Sequence, residues 1–568
     1  MTDKPKASIS HLIFSGGNNF HINENEKIIL VGPNNSGKSL TLREIISICA
    51  NRNSNRTLAI KDVSINKKGT IQAFRAFLDN ETEYASHSFR YRNWNLRESH
   101  VSAWEAEGLP GSLIDGFIKN ITADNRLSVC NQQKSISPNE PKTVPQQVLY
   151  DDELLMEKVS GLFRLAFGKD LMFDFRGGDK LPIHVGDLPV VEGDRDRVGD
   201  DYVKQVRLNP LLDEQGDGMK SYAGILFETI VSDLDITLID EPEAFLHPPQ
   251  MRKLGESLAS NVKGQLFIAT HSSDILKGLL EGTQGGLRIL RLSRENDLNK
   301  VCEASAETIK SLWEKPDFKY SNALESIFHE QAIICEDDSD CRLVNSVEDY
   351  LSAKSQLKPL DTVYIPTGGK HGVPKIATVL RDIGVPVKTI LDIDFLSEQN
   401  LVEKTVNAFG GNWDEIRPLW LRVDAAVRNG EKAQTIPEIK ENIINILNSC
   451  ESTDLPKRDI NDALKQNSEW NVVKKFGEQG VPNGQAQQDY RTLRDKLQNI
   501  GIYLVPVGEI ENFCPDIGSH GPKFVMKLLS ETSLDDQKLS ALREFVINVH
   551  NGAHSILPKN QIADELRL

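Results

Sequence analysis

From residue 8 the chain alternates apolar and polar positions and then turns continuously apolar ("HLIFSGG", "EKIILVG"), which predicts two strands by residue 31. Residues 38–50 show helical spacing of apolar side chains. Residues 51–150 are polar and mixed, with "NRNSNRT" and "NQQKSISPNEPKTVPQQ" predicted as loops. Helical periodicity returns over 151–169, and "TLID" and "QLFIAT" follow as short apolar strands. After a softer stretch, about 303–328, come four more strand-like runs: "AIIC", "TVYIP", "VKTILDIDF" and "GIYLVPV". Residues 400–500 are largely helical and polar, an insertion between two of those strands. Strands alternating with helices predict an α/β fold with mostly parallel sheets.

Length, composition and charge narrow the classes open to such a chain. A length of 568 residues is too great for one core and predicts two or three domains. The polar start "MTDKPKASIS" predicts no signal peptide, and no apolar run approaches the roughly 20 residues of a membrane span. Seven scattered cysteines without a C-x-x-C pair argue against a zinc site or a disulfide framework and fit a reducing, cytoplasmic setting. The formal net charge of −16 argues against a nucleic-acid partner at first sight. A local basic groove is compatible with an acidic whole, however, and carboxylates that hold metal count as negative until loaded.

The first candidate site is a phosphate cradle. "VGPNNSGKS" (31–39) fits G-x-x-x-x-G-K-[ST] between a predicted strand and a predicted helix. Gly32, Pro33, Asn34, Asn35, Ser36 and Gly37 form the loop; Lys38 reaches terminal phosphates and Ser39 can ligate Mg²⁺. "ITLIDEPEAFLHP" (236–248) is an apolar strand ending in Asp240, suited to Mg²⁺ through water, and Glu241, suited to orienting an attacking water. "FIATHSSDIL" (267–276) ends a further strand at His271, placed to contact a γ-phosphate. Alone, each motif also reads as a tight turn, a helix cap or a surface histidine; the order and spacing of all three favour ATP and Mg²⁺.

The second candidate site is a set of acids at strand ends. "AIICEDDSD" places Glu336 and Asp340 after one apolar strand, "KTILDIDFL" places Asp392 and Asp394 after another, and "YLVPVGEIENF" places Glu509 and Glu511 after a third. Carboxylates at that density repel one another unless a cation is shared among them. One sheet edge would gather them, and hard oxygen donors suit Mg²⁺ or Mn²⁺. Each patch alone also reads as helix capping. "PTGGKHGVPK" (366–375) adds Gly368, Gly369 and Lys370 at a strand-to-helix turn, with the lysine open between a structural role and a DNA phosphate.

The first three motifs resemble ABC-type ATPases of the SMC and RecF kind over about residues 8–300. That resemblance implies that a signature loop of one protomer completes the ATP site of another. "DEQGDGMKSY" (213–222), with Gly216, Asp217 and Gly218, is its best match, although it is not the LSGGQ string. Long heptads are absent, so the coiled-coil arms of SMC proteins are not expected. The acidic strand ends resemble a Toprim domain, with Asp337 and Phe395 standing where that family often has glycine.

An ABC-type ATPase followed by Toprim is similar to OLD-family endonucleases, which include Gabija-type and retron-associated anti-phage effectors. The resemblance implies a P-loop ATPase domain over 1–300 with a mixed insertion at about 51–150, a linker at 301–329, and a Rossmann-like Toprim nuclease domain over 330–568 with a helical insertion at about 400–500. It implies ATP with Mg²⁺ or Mn²⁺ at both sites, and catalysis by Glu336, Asp392, Asp394 and Glu511 (Glu509 the alternative). Lys523, or else Lys527, would assist cleavage, and Glu241 would serve the ATPase. Implied partners are DNA, a second copy through the ATPase heads, room for a larger assembly, and a regulatory protein or retron-type nucleic acid; no membrane is implied. Two other readings compete. A topoisomerase- or primase-like enzyme would need a tyrosine nucleophile domain that is not recognisable here. A DNA-binding SMC- or RecF-like scaffold would keep the Toprim-like module without catalysis.

Overall fold

Two kinds of strand open the chain. Lys6–Phe14 (β1) is buried on part of its length only, whereas Lys27–Val31 (β2) is buried at every position, as a strand covered on both faces must be. The computed structural model describes residues 4–51, 57–92, 94–137, 140, 142–190, 196–295, 298–314, 322–430, 436–449, 455–457, 460, 463–464 and 469–555. In it the chain divides into two units, one ending at Phe328 and one beginning at His329.

In the first unit β1 pairs antiparallel with Asn19–His21 and with Ile60–Lys68 (β3). β2 lies inside a six-stranded sheet with Ile118–Ile121 (β4), Ile236–Asp240 (β5), Gln265–Ala269 (β6), Arg288–Glu295 (β7) and Leu298–Glu303 (β8), in the order β8-β7-β2-β6-β5-β4. All neighbours are parallel except β7 and β8. The register aligns Asp240 with Ala269 and Ala269 with Leu30, so the ends of β2, β5 and β6 lie along one edge. β4 comes from the stretch that reads as irregular; with four residues it is too short to show a period. Parts of both predicted loops, residues 52–56 and 138, 139 and 141, lie outside the described residues.

One buried side chain ties the six-stranded sheet to the sheet that contains β1. Gln265 is fully buried at the start of β6. Its carbonyl accepts from Ile9 N at 2.8 Å, and its amide donates to Ile9 O at 2.7 Å and Asn23 O at 2.8 Å. It thus acts as one extra rung of sheet, and it spares the backbone of β1 an unpaired burial.

In the second unit Gln331–Cys335 (β9), Thr362–Pro366 (β10), Val387–Leu391 (β11) and Ile502–Leu504 (β12) form a parallel sheet in the order β10-β9-β11-β12. β9 and β11 are buried at every position. Helices Asp338–Ala353, Val373–Asp382 and Gln485–Gln498 lead between these strands, and Trp413–Arg428 and Glu469–Phe476 belong to the predicted helical insertion. Lys388 in β11 is buried, and its ammonium donates to Val549 O at 2.8 Å and His550 O at 2.6 Å, the last carbonyls of helix Ser540–Asn551. A cation there meets the negative end of the helix dipole.

Replacing Gln265 by alanine strands both buried backbone groups of Ile9 and removes a donor from the carbonyl of the exposed Asn23. Each unsatisfied group costs on the order of 1–3 kcal/mol, so Gln265→Ala is expected to lower stability by about 3 kcal/mol, measured as a lower urea midpoint. An unchanged midpoint would show that the rung carries no weight.

Candidate functional site

The loop after β2 is shaped by left-handed backbone at Gly32 (φ 135°), Asn35 (φ 61°) and Gly37 (φ 92°). Successive N–H groups in such turns form an anion-binding concavity, and the helix Lys38–Cys49 starts directly from it. Asn299 in β8 braces the loop from behind, donating to Ser36 O at 2.6 Å. A Cβ on Gly37 would stand 2.6 Å from that amide nitrogen, so the close brace requires glycine. Asn34 and Asn35 are exposed at the loop's tip. The buried Lys38 ammonium donates to Gly32 O at 2.7 Å and Pro33 O at 2.9 Å. Its burial pushes its pKa down to about 8, against the opposing charges of Glu241 and Glu243.

Ser39 Oγ donates to Asp240 Oδ1 at 2.8 Å, which joins the loop to the end of β5. Burial raises the pKa of Asp240, and the serine hydroxyl works against that rise. Glu241 is exposed in a left-handed conformation (φ 47°), and its N–H donates to Ala269 O at 2.8 Å. That backbone bond ties the turn after β5 to the end of β6. Two further residues, to which the motifs assign no role, complete the edge. Glu243 accepts from Thr270 Oγ1 at 2.7 Å and His271 N at 2.6 Å, fixing the backbone that carries His271; burial raises its pKa while both donors oppose the rise. Arg126 is fully buried and donates to Asp240 O at 3.3 Å, Glu241 O at 2.9 Å and Ala244 O at 3.4 Å. The sequence offers no signal for Arg126, which lies in the short helix Ala123–Ser128 of the mixed stretch. Gly216 caps helix Asp217–Leu226, and Asp217 pairs with Lys220 at 2.9 Å. No hydrogen bond or ion pair among the described residues joins Gly216, Asp217 or Gly218 to the phosphate loop.

In the second unit the strand ends bring the predicted acids together. Glu336 follows β9 and accepts from Asp392 N at 3.1 Å, just after β11. Asp340 closes the first turn of helix Asp338–Ala353, accepting from Asp337 N at 3.1 Å. Glu511 accepts from Gly521 N at 2.7 Å. Glu509, Glu511 and His520 offer ligand atoms within 4.8 Å of one another. Lys370, which the sequence leaves open, lies 3.5 Å from Asp394 Oδ2 and 3.1 Å from Glu398 Oε1. Gly368 and Gly369 are left-handed turn residues, and Gly369 N donates to Glu336 O at 2.8 Å. Lys523 is exposed in the first turn of helix Pro522–Glu531 and makes no ion pair among the described residues.

A lysine that carries no sequence signal sits at the centre of this cluster. Lys474, from helix Glu469–Phe476 of the insertion, lies 3.1 Å from Asp392 Oδ2, 3.7 Å from Glu509 Oε2 and 3.8 Å from Asp394 Oδ2. Its backbone is pinned to the loop that bears Glu509: Asn512 Nδ2 donates to Lys474 O at 3.1 Å and Val507 O at 3.0 Å. A Cβ on Gly508 would stand 1.9 Å from Lys474 O, so only glycine permits that approach.

Charge crowding governs the cluster. Burial raises the pKa of Glu336, and the charge of Asp394 adds to the rise. Burial also raises Asp392 and Glu509, against the charge of Lys474. Asp340 is pushed up to about 7 by burial, with Glu336 and Glu511 contributing. Burial would depress Lys474, but Asp392, Asp394 and Glu509 outweigh it and hold its pKa above the ordinary lysine value. Asp394 Oδ1 is buried without a hydrogen-bond partner. An all-oxygen donor set with one orphaned oxygen fits a hard divalent ion.

The sequence is similar to known proteins in two respects. A family model described as "AAA domain, putative AbiEii toxin, Type IV TA system" matches residues 195–277, which include Asp240, Glu241 and His271. The Old nuclease of Escherichia phage P2 is 23% identical over 176 residues, covering 30% of this chain and 29% of that protein. The chain therefore spans under a third of that relative's length in the match. Among solved structures, the SMC head domain from Thermotoga maritima matches with 12% identity and a TM-score of 0.28, covering 53% of this chain and all of that one. The Smc head domain with an extended coiled coil from Pyrococcus furiosus, bound to the C-terminal domain of ScpA, gives 12% identity, a TM-score of 0.33, and coverage of 55% and 99%. Both matches are local: the family model takes in the ends of β5 and β6, and the nuclease match covers under a third of the chain. No helix among the described residues is long and apolar enough to cross a membrane.

The raised carboxyl pKa values carry a stability signature. Asp340 binds its proton more tightly folded than unfolded, so its contribution is full below the free aspartate value and is lost as pH rises to about 7. In metal-free protein, Asp340→Asn is expected to raise the melting temperature relative to the parent more at pH 7.5 than at pH 4.5. An equal shift at both pH values would contradict the crowding described.

Proposed function

We propose that the chain is an ATP-regulated, divalent-metal-dependent DNA endonuclease of the OLD-family kind. One observation carries this reading: at three strand ends of one sheet, Asp392, Asp394 and Glu509 gather around the Lys474 ammonium and Glu336 joins them through its bond from Asp392 N. The first unit would serve as the ABC-type ATPase domain and the second as the Toprim nuclease domain, in a cytoplasmic protein that acts in defence against phage. The match to Old nuclease supports the activity, and the order of the motifs supports the division of labour.

In the ATPase, Gly32–Ser39 would cradle the phosphates, Lys38 would leave its loop carbonyls for the terminal phosphates, and Ser39 with Asp240 would hold Mg²⁺. Glu241 would orient the attacking water, with His271 at the γ-phosphate. Gly216, Asp217 and Gly218 would complete the site of a second copy, making ATP binding and dimerisation one event. In the nuclease, Glu336, Asp392, Asp394 and Glu509 would hold one ion, and Asp340 and Glu511 a second. Ions bound there supply Lewis-acid stabilisation of the charge that builds on the phosphodiester. Lys370 and Lys523 are the lysines available to a DNA phosphate.

Purified protein incubated with supercoiled plasmid and Mg²⁺ or Mn²⁺ is expected to nick or linearise it. Glu336→Ala and Asp392→Ala are each expected to lower the rate by about 100-fold or more. Lys38→Ala is expected to abolish ATP turnover and to remove any effect of ATP on cleavage. Cleavage retained in both carboxylate variants would overturn the nuclease assignment. Plasmid binding with no cleavage in any lane would favour the scaffold reading.

A further inference from the structure

We propose that Lys474 is a resident cation of the carboxylate cluster, closing the Asp392–Asp394–Glu509 side to a divalent ion until its side chain swings out. The proposal rests on the metal-dependent reading above and adds an order of loading to it.

Three carboxylates surround one ammonium at 3.1, 3.7 and 3.8 Å. A divalent ion ligated by those three groups would take the same space, because ligand oxygens approach such an ion more closely still. Ammonium and ion are therefore alternatives. The two lysines at the cluster differ in this respect. Lys370 also meets Asp394, but its nearer partner is Glu398, outside the ligand set. Among the described residues, Lys474 pairs only with predicted ligands. Asp340 and Glu511 are different: Glu511 meets the exposed His520 at 3.8 Å, which also lies 4.0 Å from Glu509, and neither Asp340 nor Glu511 has a lysine or arginine ion pair among the described residues. One side thus stands open to a cation while the other already holds one.

The way out is local. Asn512 and the close approach at Gly508 hold the Lys474 backbone on the loop that carries Glu509 and Glu511. The helix cannot withdraw without dragging a ligand loop with it. The side chain is about one-third exposed (32%), and its flexible four-carbon stem can rotate toward water with the backbone in place. Loading of the second ion then requires only that exchange, and the charge of Lys474 sets its cost.

The test is calorimetric titration of the full chain with Mn²⁺, without nucleotide or DNA, so that no cleavage is read. The parent is expected to show one tighter and one weaker binding step. Lys474→Met is expected to tighten the weaker step by about tenfold or more. Lys474→Gln, which keeps a polar tip, serves as the second uncharged variant and is expected to do the same. Lys474→Arg is expected to keep the parental isotherm, and Asp392→Asn placed on Lys474→Met is expected to remove the tightened step. Parent and both uncharged variants binding Mn²⁺ with the same affinities and stoichiometry would overturn the role of Lys474 alone. No Mn²⁺ binding by any of these proteins would overturn the metal-dependent reading as well.

Discussion

Carboxylates gathered at the end of a parallel sheet repel one another, and partial burial makes each charge harder to bear. The register of β9, β11 and β12 brings Glu336, Asp392, Asp394 and Glu509 together whether or not a cation is present. The second unit meets that demand with basic residues. Lys370 enters from the turn after β10, and Lys474 reaches in from the helical insertion. The insertion is therefore tied to the sheet by charge as well as by packing, and Gly508 and Asn512 give the tie its close geometry.

The phosphate cradle solves a related problem with the opposite sign. There a buried ammonium and several loop carbonyls lie together, and Lys38 donates to its own loop. The edge is kept in shape by groups to which the motifs assign no role. Arg126 gathers the carbonyls of residues 240, 241 and 244, Glu243 holds the backbone of His271, and Asn299 braces Ser36. In both units, motif residues stand on short loops at strand ends, and distant side chains supply the hydrogen bonds those loops lack. Such loops can change partners at little cost, which suits sites that exchange one cation or anion for another.

How much of this is legible in the sequence follows from the range of each signal. Apolar runs of four or five residues bounded by turns mark β2, β5, β6, β9 and β11, and the helix after Gly37 follows from its periodicity. The six acids are legible because each follows such a run. β4 is not, since Ile118–Ile121 is two apolar residues flanking two polar ones. Arg126 and Lys474 act across more than a hundred and about eighty residues of chain respectively, from segments whose local pattern reads only as mixed and as helix in turn. His520 adds a nitrogen beside Glu509 and Glu511 that no spacing rule would select. Residues placed by tertiary contact leave no periodic trace, so one sequence alone cannot single them out.

The central claim is that the strand-end carboxylates are a divalent-cation site. The most direct measurement is an anomalous difference map from crystals grown with Mn²⁺. The account predicts a peak bounded by Glu336, Asp392 and Asp394, with the Lys474 ammonium moved away from them. Crystals that bind Mn²⁺ elsewhere but show no peak there and none beside Asp340 and Glu511 would contradict it.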